Sequence, residues 1–109
     1  MTRMLTIAAV AALTLGAPDA RAEDPAGDVA AGETRYAVNC VNCHGRAGKG
    51  LASFPAIAGR DAAYIAQRLT QYRGGEQVGW NTALMRAQAI ELTDEEIADL
   101  AAYIAATFN

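Results

Sequence analysis

Two stretches carry apolar residues at helical spacing, and no stretch shows the strict alternation of a strand. In "LTDEEIADLAAYIAATF", residues 92–108, positions Ile97, Leu100, Ala101, Ile104 and Phe108 form one stripe. Thr93 and Glu96 stand at capping-box spacing before it, with Asp94 and Glu95 in the first turn, where the helix dipole favours acids. In "DAAYIAQRLTQYR", residues 61–73, Ile65, Leu69 and Tyr72 fall at i, i+4, i+7 with Tyr64 beside them; Asp61 is the N-cap and Gly74 the stop. A helix over 29–42, capped by Asp28, and one or two turns around 82–89 complete the pattern. Residues 45–59, with four glycines and Pro55, read as a loop. The reading is all-α, with three to four helices and long loops.

Residues 39–50, "NCVNCHGRAGKG", hold both cysteines and the only histidine of the chain. C-x-x-C-H is the attachment motif of c-type haem. Two intervening residues set the thiols of Cys40 and Cys43 on one turn for two thioethers to the porphyrin, and His44 then lies under the iron. Gly45 lets the backbone leave without striking the ring. A structural zinc site wants four ligands, and the chain offers three adjacent ones. A thioredoxin-like pair wants a βαβ pattern that is absent. The plainest rival is an ordinary disulfide.

With His44 beneath the iron, a sixth ligand must come from elsewhere. Beyond the leader, Met85 is the only methionine and Lys49 the only lysine. A lone methionine is ordinarily core packing. Elimination favours Met85, since Lys49 lies close to His44 in sequence; an open sixth site is the third option.

The first 22 residues differ from the rest. Arg3 precedes the apolar run "LTIAAVAALTLGA", and "PDARA" ends in an A-x-A arrangement, the pattern of a secretory signal peptide cut after Ala22. The run is shorter than the roughly 20 apolar residues of a spanning helix. Residues 23–28 read as a flexible lead-in and 29–109 as one domain. The expected product is an exported, periplasmic protein without stable membrane insertion. A net charge of −3 argues against a nucleic-acid partner. So short and alanine-rich a chain lacks the large side chains for a full core, so a cofactor is expected to fill it.

These pieces, "AGETRYAVNCVNCHG", "FPAIAG", "YIAQRLTQYRGG" and "MRAQAIELTDEEIADLAAYIA" in order, resemble the class I c-type cytochromes. They are most similar to the small bacterial periplasmic monohaem proteins and to single halves of related dihaem ones. The resemblance covers most of the chain after residue 28. It implies the class I cytochrome c fold, wrapped around one covalent haem c. It implies Cys40 and Cys43 as thioether cysteines, His44 and Met85 as axial ligands, and Pro55 as the carbonyl that holds the His44 ring. It implies Gly32 and Tyr36 crossing the last helix at Leu100 and Tyr103. Arg60, Trp80 and Asn81 are candidate propionate contacts. Two features depart from relatives: Glu76-Gln77 stands where many carry a basic residue, and the lysine-rich rim of mitochondrial relatives is missing.

The function so implied is a non-enzymatic electron carrier that docks transiently with redox partner proteins. The alternative is a cytochrome subunit of a periplasmic dehydrogenase oxidising sulfur compounds or alcohols. An open-site gas binder or peroxidase and a thiol–disulfide protein are the remaining readings.

Overall fold

The computed structural model describes residues 27–109, and residue 11 upstream. The cleavage site after Ala22, and nearly all of the leader before it, lie outside the described residues. The helices are α1 (Val29–Asn39), α2 (Val41–His44), α3 (Ala62–Arg73), α4 (Thr82–Ala89) and α5 (Asp94–Thr107). Among the described residues the only β feature is an isolated bridge between Leu51 and Phe54 in the long loop.

Three helices start where their caps predict. The Asp28 carboxylate accepts from the amides of Ala30 and Ala31, Asp61 accepts from Tyr64, and the Thr93–Glu96 box closes in both directions. The first helix is shorter than the expected 29–42. It stops at Cys40, whose φ of −118° breaks the helical path, and the motif continues as the separate turn α2. The one helix so divided becomes two, which takes the count to five. After α3 the chain passes Gly74 in a helical conformation and turns at Gly75, where φ is +80°.

Helix α5 is the spine. Its Ile97, Leu100, Ala101 and Ile104 are buried, together with Phe108 just beyond it, Tyr36 of α1 and Ile65 and Leu69 of α3. Each leucine or isoleucine so buried contributes about 1.5–3 kcal/mol. α1 crosses α5 in direct backbone contact: a Cβ on Gly32 would collide with the Asp99 carbonyl, and one on Gly27 with the backbone of Ala98. The nearest atoms to Gly32 belong to Asp99 and Tyr103. Asp99, buried on α5, accepts the Asp28 amide at 2.7 Å, so the end of the expected lead-in is held to the spine. Tyr36, Tyr103 and Phe108 fill the crossing as a tilted aromatic trio with centroids 5.1–5.5 Å apart.

Candidate functional site

The single turn α2 places the cysteines and the histidine together. Cys43 and His44 donate their amides to the Cys40 carbonyl at 3.2 and 2.9 Å, and Gly45, at φ +82°, takes the chain away. His44 is buried. Its Nδ1 stands 2.8 Å from the Pro55 carbonyl oxygen. A carbonyl only accepts, so Nδ1 carries a proton, and in the neutral ring Nε2 is the nitrogen left to ligate a metal.

The backbone around His44 is bound on both sides. Gly50 donates its amide to the His44 carbonyl at 2.9 Å, and the Tyr36 hydroxyl donates to the Gly45 carbonyl at 2.6 Å. Gly50 needs to be glycine: its φ is +79°, and a Cβ would strike the Phe54 carbonyl. The Gly48 carbonyl accepts from Ile57 and Ala58, and Gly59 donates to the Phe108 carbonyl. The Pro55 segment is thereby fixed both to the motif loop and to the end of α5.

Met85 comes from a separate element, α4. It lines, with Cys40, His44, Pro55 and Tyr72, two adjoining cavities of about 160 and 370 Å³. The smaller is floored by the core residues Ile65, Leu69, Leu100 and Ile104. The larger adds Cys43, Phe54, Thr82 and Leu84. The shared walls make one cleft through the middle of the fold.

The cleft collects Cys40, Cys43, His44, Pro55 and Met85. It separates the other three candidates. Arg60 is at the smaller cavity, where its guanidinium lies 4.6 Å from the centroid of the Tyr64 ring. Trp80, 89% exposed, and Asn81 are at the larger one. Sequence reading missed Arg68, which lines the cavity of Arg60 and also approaches the Tyr64 ring, at 5.2 Å from its centroid. Its spacing of four residues from both Tyr64 and Tyr72 was the available clue. It also missed the buried Thr82, a wall of the larger cavity.

Burial, and then the neighbouring Cys43, push the Cys40 thiol up to about 11. Burial above all pushes the Tyr36 phenol up to about 12. A hydrogen bond from Arg68 draws the Tyr64 phenol down. Both cysteines are free of disulfide. No cluster of three or more His, Cys, Asp or Glu converges on a metal position among the described residues.

The donor set therefore consists of two thiols on one turn, an imidazole with a free nitrogen, and a thioether across an apolar cleft. That set fits a flat apolar macrocycle joined through two sulfurs, with its metal between nitrogen and sulfur.

The model of the family described as cytochrome c matches residues 29–108. The chain is 48% identical over 79 residues to cytochrome c-554(548) of Halomonas halodenitrificans, covering 72% of this chain and 94% of that one. It is 40% identical over 67 residues to the thiosulfate dehydrogenase electron acceptor of Stutzerimonas stutzeri, covering 61% of this chain and 31% of that one. The crystal structure of reduced cytochrome c4 from Pseudomonas stutzeri superposes with a TM-score of 0.60 at 30% identity, over 72% of this chain. This chain spans about half of that solved chain, 49%.

Proposed function

The chain belongs to the cytochrome c family, and from that premise we propose that Cys40 and Cys43 hold its haem and that His44 and Met85 are the axial ligands. It is an electron-transfer protein with covalently bound haem c, and its fold is that of class I cytochromes c. When bound, the haem supplies a one-electron couple at iron. The observation that carries the ligand assignment is that His44, already held through Nδ1 by Pro55, shares both cavities with Cys40 and Met85.

The residues of the chain have distinct tasks. Pro55 fixes the tautomer and the plane of the His44 ring, which makes the imidazole a stronger donor. Met85 supplies a neutral thioether, which favours the reduced state and a high potential. Ile65, Leu69, Leu100 and Ile104 keep water from one face of the cleft. Arg60 and Arg68 at one end, and Trp80 and Asn81 at the other, are the donors available to the haem carboxylates, which need such partners where they are partly buried. With His44 and Met85 both holding it, a bound haem would offer a substrate no open position at iron.

Residues 1–22 direct export, and the mature domain works in the periplasm. No helix among the described residues is long and apolar enough to cross a membrane. The chain exchanges electrons with redox partner proteins. A periplasmic enzyme oxidising sulfur compounds is the donor favoured by the likeness to thiosulfate dehydrogenase electron acceptors.

Absorption spectra of the exported protein, after extraction with acidic solvent, test the assignment. Sharp reduced bands that survive extraction, with a weak long-wavelength iron–methionine band in the oxidised form, are expected. Loss of colour on extraction would refute the thioethers. A missing methionine band would refute Met85.

A further inference from the structure

Helix α4 begins unlike the other long helices. Asp28, Asp61 and Thr93 each cap a helix with a side-chain oxygen, but Asn81, at the head of α4, makes no such bond. The first backbone bonds of α4 are long, 3.2 Å from Leu84 and 3.4 Å from Met85 to the Asn81 carbonyl. A helix of eight residues does not hold itself together in water. Packing against α3, with Ala89 fully buried in the core, holds one face of the helix that carries Met85, and its first turn is left to a further tie.

Thr82 is buried, 5% exposed, and stands three residues before Met85, on the same side of the helix. Its hydroxyl accepts the amides of Val78 at 3.0 Å and Gly79 at 2.8 Å, and donates to the Gly79 carbonyl. A hydroxyl has one proton and two lone pairs, so this one is fully used. All three bonds run backward from the first turn of α4 to the turn before it. We propose that Thr82 is the positioning residue of the distal ligand: its hydroxyl ties the 78–79 turn to α4 and so holds the Met85 thioether in the cleft. The inference rests on the assignment of Met85 as an iron ligand.

Replacing Thr82 by valine keeps the shape and removes the hub. The Val78 and Gly79 amides then lose their acceptor against the buried Thr82 side chain, in a part-buried place, a cost that falls on the arrangement with Met85 seated. An external ligand has to displace Met85, so it should bind the variant more readily.

The test uses oxidised holoprotein and imidazole as the probe. T82V should bind imidazole about tenfold more tightly than the parent, a factor set by the buried-bond penalty. T82S, which keeps the hydroxyl, should return to within about twofold of the parent. Linkage is reciprocal, so saturating imidazole should speed amide exchange at Val78 and Gly79 in the unsubstituted protein by about the same tenfold. That second measurement decides the matter if T82V does not accumulate with haem. Equal imidazole affinity in T82V and parent, or exchange at Val78 and Gly79 indifferent to imidazole, overturns the proposal. M85A is the reference: if M85A leaves imidazole affinity unchanged, the ligand assignment itself fails. If M85A opens the site and T82V does not, only the role of Thr82 fails.

Discussion

The two walls of the cleft are held by different kinds of interaction. On the His44 side, beyond the local bonds of the motif turn, attachments run to α1, to the loop that follows and, through Gly59, to the end of α5. The ring is bonded to Pro55, the Gly45 carbonyl to Tyr36 of α1, and the Gly48 loop to Ile57 and Ala58, while the Phe108 carbonyl at the end of α5 holds Gly59. On the Met85 side the hydrogen bonds are local, from Thr82 to residues three and four positions away. The long-range hydrogen bonds of α4 are few, a weak 3.5 Å bond from Asn39 to Gln88 beside Arg86 covering Gly75, and its other anchor is apolar packing against α3, with Ala89 fully buried in the core. A wall tied into the core fails only when the core fails. A wall tied to itself can move while the core stays folded. His44 is thus held by hydrogen bonds from several segments, whereas Met85, the proposed distal ligand, sits on a helix held by one packed face and local hydrogen bonds.

The severest test removes what both walls close on. With Cys40→Ala and Cys43→Ala, no thioether forms. Ile65, Leu69, Leu100 and Ile104 are then left facing an open cleft. Because domains are stable by only about 5–15 kcal/mol, that loss should leave a largely unfolded chain. Far-ultraviolet circular dichroism checks it, and near-native helix content would mean that the helices pack without the cofactor.

Next in size is a break in the proximal wall alone. Gly50→Ala forces a side chain into a left-handed conformation and against the Phe54 carbonyl. The expected cost is about 1–3 kcal/mol of global stability, read by denaturant titration of the holoprotein. A variant that loses imidazole resistance before it loses stability would contradict the distinction drawn between the walls.

Met85→Ala breaks the distal wall instead. Covalent haem and helix content should persist, with a stability loss of about 1 kcal/mol for a half-buried side chain. The potential should fall by at least about 59 mV, the equivalent of one tenfold change in the reduced-to-oxidised ratio. Voltammetry checks it, and an unchanged potential would reduce Met85 to packing.

Much of this contrast was legible in the sequence, and the limits follow from physics. The proposed proximal site is local: five consecutive residues hold both thiols and the imidazole, so Cys40, Cys43 and His44 could be proposed without a fold. Asp28, Asp61 and the Thr93–Glu96 box were legible because a cap acts within three residues. The break of the first helix at Cys40 was not, because it depends on where the cleft lies. Asp99 looks like one more acid on a charged helix, and its burial depends on an amide 71 positions away. Thr82 was hidden for a different reason. Its partners are backbone groups of Val78 and Gly79, and any sequence there presents the same atoms. Arg60, Trp80 and Asn81 looked equivalent as polar candidates, but the cleft has two ends and the structure divides them between the two.

The effect smallest at neutral pH probes the join between the motif loop and the core. Tyr36 is 2% exposed, and burial holds its phenol protonated up to about 12, above its ordinary value of 10. The folded state thus binds this proton more tightly than the unfolded chain does. Its contribution is complete below pH 10 and is lost as pH rises through about 12. Between those values Tyr36 should make stability fall by on the order of 2 kcal/mol. Tyr36→Phe cannot ionise, so the variant should lack that part of the alkaline slope. At neutral pH it loses only the bond to the Gly45 carbonyl, about 1 kcal/mol. Denaturant titrations of parent and variant across pH 9 to roughly 12 separate the two terms. If the Met85 band meanwhile survives unchanged in the variant at neutral pH, the aromatic trio supports the proximal wall alone. A weakened band would mean that strain at Gly45 crosses the cleft, and the two walls would then be one.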